Sequence, residues 1–385
     1  MKNVLEARVR ARLADLGSQG LLRRPHPPSG LDLSSNDYLG LATHPPLVQR
    51  LADAVTRDGC GSTGSRLLRG HRESFTAIER QFAAFKRTDR SLYFSSGYLA
   101  NLAVLSTLPE AADVVFSDAR NHASLIDGMR LSRARRVVFP HGDVDALSRL
   151  LAEDHGPGER FVVVESLFSM DGDFAPLAEY ASACRRTGAL LVVDEAHAVG
   201  VYGDDGSGLI RATGIADDVL VSVNTAGKAL GVAGAFVAGP AWAIDYLEQR
   251  ARPFVFSTAA PPALAAALEA ALDIVSAEPE RRQRLHSRVG FLRTRLAEIG
   301  IALSPDASQI IPVIVGGNEE AVRLATALQH QGFDVRAIRP PSVPAGTARL
   351  RISVNAMLSE DELEQFVRTL QHCLGKVDPC SVASS

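Results

Sequence analysis

Short apolar runs alternate with amphipathic segments along the middle of the chain. From Glu73 to about residue 225, each run is followed by a stretch in which apolar residues recur every three or four positions, which is the spacing of one helix face. Strands that alternate with helices pair in parallel, so the pattern predicts an α/β fold with a mostly parallel sheet. The predicted strands cover residues 92–94, 114–116, 137–139, 161–164, 189–193 and 221–223.

The pattern changes beyond Gly239. Predicted helices over 241–250 and 263–275, then a long charged helix over 280–299, lead to shorter strands and helices. We therefore predict an N-terminal arm, a large α/β domain and a smaller C-terminal α+β domain, over residues 1–35, 36–278 and 279–385. The arm contains a predicted helix over residues 2–20, and the smaller domain has predicted strands over 311–315, 335–338 and 350–354.

Composition excludes several kinds of partner. The chain has 385 residues and a net charge of −3, with no dense basic run, which argues against a nucleic-acid or anionic-membrane surface. No segment is apolar over the length needed to cross a bilayer. The four cysteines, which lack metal or redox spacing, predict reduced thiols in a cytoplasmic protein; they are Cys60, Cys184, Cys373 and Cys380.

One predicted strand leads directly to a lysine. After residues 221–223 the chain passes through small and hydroxyl-bearing residues to Lys228, which lies between Gly227 and Ala229. Small neighbours let a ligand approach the amine closely, which is typical of a reactive lysine. An ordinary solvated lysine at a strand end is the alternative, and this stretch alone leaves it open.

The preceding strand ends in an acid and a histidine. Apolar residues 189–193 are followed by Asp194 and, three positions later, His197. These side chains are expected at the carboxyl edge of the sheet, where α/β proteins bind ligands. A carboxylate there can keep a heterocyclic nitrogen protonated, and an imidazole can hydrogen-bond a nearby oxygen. With Lys228 as covalent partner, the set predicts a pyridoxal phosphate (PLP) site.

Further polar residues follow other predicted strands. His122 opens a helix after residues 114–116, and Ser169 follows residues 161–164, so both are expected near the same edge. Gly97 and Tyr98 lie where a strand turns into a helix, and a helix N-terminus of this kind can hold a phosphate. A plain strand-to-helix connection is the alternative for that turn.

Two other interpretations are weaker. A metal site made of His122, Asp194 and His197 would need further ligands and would leave no role for Lys228, so we predict no metal. Residues 59–64 (GCGSTG) match the dinucleotide pattern GxGxxG, but a helix precedes them and a loop follows. We therefore expect a flexible segment beside a ligand or a subunit contact.

Several motifs together resemble those of one enzyme family. The chain is similar, nearly from end to end, to the α-oxoamine synthases, which are PLP-dependent transferases of fold type I with a large α/β domain and a smaller α+β domain. Two departures are a short linker between Arg24 and Leu33, so that a small hairpin is expected to be missing, and the absence of a histidine from residues 355–358. The motifs are residues 35–40 (SNDYLG), 96–98 (SGY), 122–125 (HASL), 168–173 (FSMDGD), 194–197 (DEAH), 225–228 (TAGK) and 256–258 (FST).

This resemblance implies roles for individual residues. Lys228 would hold PLP and act as the base, Asp194 would face the pyridinium nitrogen, and His122 would stack on the ring. Further cofactor contacts are implied for Gly97, Tyr98, Ser169, His197, Thr225 and, from a partner subunit, Thr258. Substrate contacts are implied for Arg23, Asn36, His122, Arg339, Ser342 and Arg351.

The resemblance also implies a reaction. Residues 337–351 are most similar to the family members that condense L-alanine with a pimeloyl thioester, carried on CoA or on a carrier protein, in biotin biosynthesis. Glycine C-acetyltransferase, 5-aminolevulinate synthase and serine palmitoyltransferase share the site and remain alternatives. A homodimer with a shared active site is implied. Two other classes stay open, namely a PLP-fold binding or regulatory module without turnover, and a hydrolase or aldolase that uses Lys228 without a cofactor.

Overall fold

The computed structural model of the chain describes residues 3–306 and 308–375. In chain order the strands are β1 (Leu31–Asp32), β2 (Arg90–Phe94), β3 (Val114–Asp118), β4 (Arg135–Phe139), β5 (Arg160–Glu165), β6 (Leu190–Asp194), β7 (Val219–Thr225), β8 (Ala235–Gly239), β9 (Ile310–Gly316), β10 (Phe333–Asp334), β11 (Arg336–Ile338) and β12 (Ala348–Ser353).

The helices occupy most of the chain between these strands. They are α1 (Val4–Ser18), α2 (Pro45–Asp58), α3 (Glu73–Lys86), α4 (Gly97–Thr107), α5 (Ala123–Leu131), α6 (Val144–Glu153), α7 (Leu177–Thr187), α8 (Leu209–Ala212), α9 (Ala241–Arg250), α10 (Arg252–Val255), α11 (Ala263–Ala277), α12 (Pro279–Glu298), α13 (Asn318–His330) and α14 (Glu360–Leu374).

The described chain divides into two units. One contains the residues up to Ser35, the three residues Met170–Gly172 and the chain from Leu285 onward, and the other contains Asn36–Ser169 and Asp173–Arg284. The division falls inside α12, six residues beyond the predicted start of the smaller domain at residue 279. We call these the small and the large unit.

A seven-stranded sheet in the order β2-β8-β7-β6-β5-β3-β4 forms the centre of the large unit. The neighbouring pairs from β7 through β6, β5 and β3 to β4 are parallel. Only β8 runs against its neighbours, since it pairs antiparallel with both β7 and β2. The prediction of a mostly parallel sheet is confirmed, whereas β8 was not predicted.

The central strands β3, β5, β6 and β7 are largely buried because most of their residues are apolar on both faces. Val115, Val163, Val192 and Val221, which come from four adjacent strands, are at most 1% exposed and belong to one core cluster. Side chains of α4 and α9 pack into the same cluster. Continuous apolar runs of this kind are typical of a parallel sheet covered by helices on both sides.

The small unit contains a three-stranded antiparallel sheet in the order β11-β12-β9 and a short parallel pair, β1 with β10. The sequence predicted the three longer strands but not the pair, because two-residue strands carry no periodic signal. The helix α14 begins at a capping box in which the Ser359 hydroxyl accepts from the Glu362 amide. Between α1 and β1, residues 21–30 contain no helix or strand.

The arm helix α1 is short of the predicted residues 2–20 at both ends, and Lys2 lies outside the described residues. The apolar side chains at its helical spacing are all exposed, from 38% at Leu16 to 83% at Val4. Of the cysteines, Cys60 is exposed, Cys184 and Cys373 are buried, and these three form no disulfide, while Cys380 lies outside the described residues. No helix within residues 3–306 or 308–375 is long and apolar enough to cross a membrane.

Candidate active site

Three neighbouring strands of the large unit each end in an acid. β3 ends at Asp118, β5 at Glu165 and β6 at Asp194, and all three residues are buried. Glu165 and Asp194 are also register partners in the parallel pairing of β5 with β6. Because the strands are parallel, the three carboxylates lie at one edge of the sheet, as predicted for the carboxyl ends.

Asp194 is held by two donors. The Asn101 side-chain amide, on α4, donates to Asp194 Oδ2 at 2.7 Å, and the Ala196 backbone amide donates to Oδ1 at 2.8 Å. The same Asn101 nitrogen lies 2.9 Å from the Ser124 hydroxyl on α5. These bonds fix the plane of a carboxylate that is only 5% exposed.

Glu165 is a buried acid that carries its proton near neutral pH. Burial and the negative charge of Asp194 raise the pKa of Glu165 to about 8. Its Oε1 accepts a hydrogen bond from the His122 backbone amide at 2.6 Å. A proton on Glu165 removes the repulsion between two neighbouring carboxylates.

His122 is the residue before α5, and its ring is tied to the start of that helix. His122 Nδ1 accepts from the Ser124 amide at 3.2 Å and lies 2.8 Å from the Ser124 hydroxyl. Burial has the largest effect on the pKa of His122 and lowers it. The charge of Asp194 raises that pKa without reversing the shift, and the charge of Lys228 lowers it further. The imidazole is therefore neutral at neutral pH, as suits a ring that stacks on a ligand.

The amine of Lys228 begins a chain of hydrogen bonds. Lys228 Nζ lies 2.8 Å from His197 Nε2, and His197 Nδ1 lies 2.7 Å from the Tyr38 hydroxyl. That hydroxyl donates to Asn36 Oδ1 at 3.0 Å. Since the Tyr38 proton points to Asn36, His197 donates from Nδ1, and its Nε2 is the acceptor that faces the lysine.

The N-terminus of α4 lies against the end of β7. The Ser96 hydroxyl caps the helix by accepting from the Leu99 amide at 3.2 Å. A Cβ added to Gly97 would lie 2.5 Å from Thr225 Oγ1, so glycine is required for this close approach. Amides in the first turn of a helix have no partner within it, which makes the turn beside Thr225 suitable for a phosphate.

These features fit PLP. Asp194 is a fixed carboxylate of the kind that suits a protonated ring nitrogen, Lys228 has an amine of the kind that PLP requires, and His197 lies beside that amine. Gly97 and Thr225 form a cradle that any larger side chain at position 97 would fill. In the described parts of the chain, no group of three or more His, Cys, Asp and Glu residues could hold a metal ion.

The remaining cofactor candidates lie at the surface of the large unit. Tyr98 is 42% exposed, and its hydroxyl bonds to Asp127. Ser169 is half-buried directly after Phe168. Thr258 is exposed and pairs with Ser65 through an isolated bridge. Their roles toward PLP stay predictions.

Four substrate candidates belong to the small unit. Arg23 donates to the carbonyls of Arg339 and Pro340 at 3.2 Å and approaches the Ser342 hydroxyl at 3.4 Å. Arg23 lies beyond the end of α1. Arg351 is 7% exposed and donates to Ser353 Oγ at 2.7 Å.

Arg23 and Arg339 help to line a cavity of about 430 Å³ in the small unit. Burial and the positive charge of Arg23 lower the pKa of Arg339. Two guanidinium groups that repel each other in this way attract an anion. Other basic residues on the wall of the cavity are Arg24, His26 and Arg336.

Several residues at the edge of the sheet were missed as site candidates. Asn101 is a polar residue within an apolar helix that starts at the predicted phosphate turn, and this contrast was a usable signal. Glu165 ends a predicted strand, as Asp194 does. Tyr38 lies within a motif but was assigned no role, because nothing in the sequence brings it to His197, 159 positions away.

Comparison with known proteins agrees with this geometry. The family model for class I and II aminotransferases matches residues 28–370. A Marinobacter nauticus protein named 8-amino-7-oxononanoate synthase is 45% identical over 341 residues, which cover 88% of this chain and 86% of that protein. A protein of the same name from Geobacter sulfurreducens is 46% identical over 340 residues, covering 88% and 87%. A solved serine palmitoyltransferase variant from S. paucimobilis with bound PLP and myriocin aligns with a TM-score of 0.91 at 28% identity, covering 98% and 99%.

Proposed function

Because the chain belongs to the class I and II aminotransferase family, we propose that it is a PLP-dependent acyltransferase that condenses L-alanine with a pimeloyl thioester to give 8-amino-7-oxononanoate in biotin biosynthesis. The matches to synthases of that name confirm the resemblance to the α-oxoamine synthases. The observation that carries the proposal is the edge of the large-unit sheet, where a fixed buried carboxylate and a lysine amine flank a phosphate cradle.

Bound PLP supplies an electron sink for the negative charge that develops at the alanine Cα. The fixed Asp194 carboxylate favours a protonated ring nitrogen, which strengthens that sink. Lys228 Nζ is the base that removes the Cα proton, and His197 Nε2 orients it by accepting a hydrogen bond. The neutral His122 ring provides a flat apolar surface without adding a competing positive charge.

The bond changes define what the remaining residues must bind. After Cα loses its proton, a bond forms between Cα and the pimeloyl carbonyl carbon, and the thioester C–S bond breaks to release the carrier thiol. The Cα–carboxylate bond then breaks to release CO₂, and Cα takes up a proton. Both substrates carry carboxylates, and a guanidinium binds a carboxylate with two parallel hydrogen bonds. We assign Arg351 to the alanine carboxylate, and Arg23, Arg339 and Ser342 to the acyl substrate.

The basic wall of the small-unit cavity supports the second assignment. A pimeloyl chain ends in a carboxylate, and its carrier brings phosphates, so the acyl donor is anionic at both ends. The acetyl and palmitoyl donors of related enzymes have an uncharged acyl end. An acyl donor with a terminal carboxylate is therefore favoured.

We also propose a homodimer. Leu131 and Phe256 of the large unit are 64% and 72% exposed and line one groove of about 760 Å³ together with Tyr246 and Val255. Arg133, Arg250 and Arg252 also line this groove, and large exposed apolar side chains beside polar ones suit a protein contact. Ser257 and Thr258 follow Phe256 directly. In a dimer that forms through this groove, these two residues of one subunit would therefore reach the active site of the other. Light scattering should give twice the chain mass, and Phe256→Asp should shift it toward the monomer.

The three described cysteines form no disulfide, which is compatible with a cytoplasmic enzyme, where thiols stay reduced.

The reaction can be tested with purified protein and PLP. Alanine, glycine and serine are each combined with pimeloyl-CoA, a pimeloyl carrier protein, acetyl-CoA, succinyl-CoA and palmitoyl-CoA, and thiol release and product mass are measured. We expect alanine with one or both pimeloyl donors to react fastest and to give a product with the mass of 8-amino-7-oxononanoate.

The other outcomes separate the alternatives. Turnover with another pair identifies a different α-oxoamine synthase. PLP binding without thiol release from any pair favours a binding module. A protein that neither absorbs in the visible range with PLP nor is labelled at Lys228 after borohydride reduction refutes the cofactor assignment.

A further inference from the structure

We propose that His141 is a positioning residue that fixes the loop Phe168–Asp173, and through it the hydroxyl of Ser169. Its imidazole bridges two carboxylates in the large unit. Nδ1 lies 2.8 Å from Asp118 Oδ1 at the end of β3, and Nε2 lies 2.6 Å from Asp173 Oδ2 at the end of the loop. A single ring therefore joins a strand of the central sheet to the segment that carries Ser169.

The bridge is made of charged groups. Carboxylate oxygens face both ring nitrogens, so both nitrogens donate and the ring is an imidazolium. Burial by itself lowers the pKa of His141, but the hydrogen bonds and the charges of Asp118 and Asp173 outweigh it and raise that pKa to about 9. Charge-assisted hydrogen bonds of this kind are about twice as strong as neutral ones.

The strand end of the bridge is rigid. Asp118 is 2% exposed, and its two oxygens also accept backbone amides, from Arg120 at 2.8 Å and from Gly142 at 3.1 Å. Asp118 thus holds the turn that carries His141 as well as the ring itself. The position of the imidazole is therefore fixed to the sheet.

The loop end is held at both of its boundaries. The Phe168 amide donates to the Asp173 carbonyl at 3.0 Å, which closes the loop, and Leu167 forms a bridge with Phe174 just outside it. The Phe168 ring meets the His141 ring edge to face, with centroids 4.4 Å apart at 89°. Because Ser169 directly follows Phe168, contacts to the first and last loop residues limit where its hydroxyl can lie.

The proposal rests on the assignment of Ser169 to PLP. A double-mutant cycle tests it, using His141→Gln, Ser169→Ala and the double variant. The PLP dissociation constant is measured by titrating cofactor-free protein, and hydrogen exchange of the loop amides is measured without PLP. Neither readout needs turnover or an acyl donor.

We expect each single variant to weaken PLP binding on the order of tenfold, because Ser169→Ala removes a direct contact and His141→Gln removes the residue that orients it. The double variant should bind PLP no more weakly than the single variant with the lower PLP affinity, because both substitutions act through the Ser169 hydroxyl. The loop amides should exchange faster in His141→Gln, whereas those of β6 should not. His155→Gln, which changes an exposed histidine, is the control and should match the unsubstituted protein.

Three results would overturn the proposal. The first is a PLP affinity that is unchanged in His141→Gln, and the second is an unchanged rate of hydrogen exchange for the loop amides of that variant. The third is a double variant whose loss of PLP affinity is the product of the two single losses. If His141→Gln does not fold, Asp173→Asn takes its place, since it keeps the shape of the side chain and removes one charge from the bridge. If the protein binds PLP with this coupling but makes no 8-amino-7-oxononanoate, the proposed reaction fails and the positioning role stands.

Discussion

Replacing Gly97 with alanine is expected to weaken PLP binding without destabilising the fold. The added Cβ would lie 2.5 Å from Thr225 Oγ1, whereas ordinary contacts begin near 3.4 Å. The next nearest atom is Thr225 Cβ at 3.7 Å, which is an ordinary distance. The clash therefore involves one hydroxyl, and that hydroxyl is one that we assign to the cofactor phosphate.

The size of the effect follows from how the clash is relieved. The hydroxyl must move by roughly 0.9 Å, and a threonine χ1 forced off its rotamer costs about 0.5–1.5 kcal/mol. That energy corresponds to a loss of about twofold to tenfold in PLP affinity. The backbone of Gly97 is not in the left-handed region, so alanine adopts it without strain. Alanine also favours a helix over glycine by up to ~1 kcal/mol, so Tm should stay equal or rise.

The assay is a PLP titration of cofactor-free protein, with Tm measured on the same samples. Thr225→Ala provides the matched background, because it removes the atom that clashes. In that background Gly97→Ala should cost little further affinity. Equal losses in the two backgrounds, or no loss in either, would refute the argument that this close approach requires glycine.

Three further predictions concern the same edge of the sheet. Lys228→Ala should lower thiol release by at least ~10²-fold, the lower range for removing a general base, while circular dichroism and Tm show an intact fold; appreciable turnover would count against Lys228 as the base. Glu165→Gln should flatten the pH dependence of stability. The pKa of Glu165 is raised from 4.5 to about 8, so the unsubstituted protein loses stability as pH rises through that window, and parallel urea-unfolding profiles for both proteins would contradict the shift. Tyr38→Phe removes two hydrogen bonds, each worth ~0.5–1.5 kcal/mol, so the unfolding free energy should fall by a similar sum in urea titrations and thiol release should slow; unchanged values would exclude Tyr38 from orienting His197.

The sequence was most informative where apolar runs end. Each buried strand is a short apolar run, and the polar residue after it marks the carboxyl edge, so the position of Asp194 at that edge follows from the sequence alone. β8 was missed because Ala235–Gly239 follows a glycine-rich segment and has no helix before it. Its antiparallel direction also breaks the alternation on which the other strands were predicted.

Residues that act through long-range pairing could not be predicted in this way. His141 lies 23 positions from Asp118 and 32 from Asp173, and its role depends on where β4 and the loop after β5 come together. Asn101 reaches Asp194 across 93 positions. A periodic pattern along the chain does not reveal such pairs. The motif resemblance identified the residues that are expected to touch the cofactor, but it did not identify residues such as His141 and Asn101, which hold other side chains in place.

The three buried acids at the strand ends explain why the site suits a cationic ring. Carboxylates this close cannot all stay charged without partners, because burial and mutual repulsion both oppose it. Asp118 is balanced by the His141 imidazolium, and Glu165 by its own proton. Asp194 has only neutral donors, from Asn101 and Ala196, in its hydrogen bonds. A protonated pyridine nitrogen bound at this edge would add a cation beside Asp194, as the Lys228 amine, whose charge acts on Glu165, already does. Asp194→Asn should consequently preserve the fold and its neutral hydrogen bonds yet shift the absorbance of bound PLP, and an unchanged spectrum would mean that the acid does not face the ring.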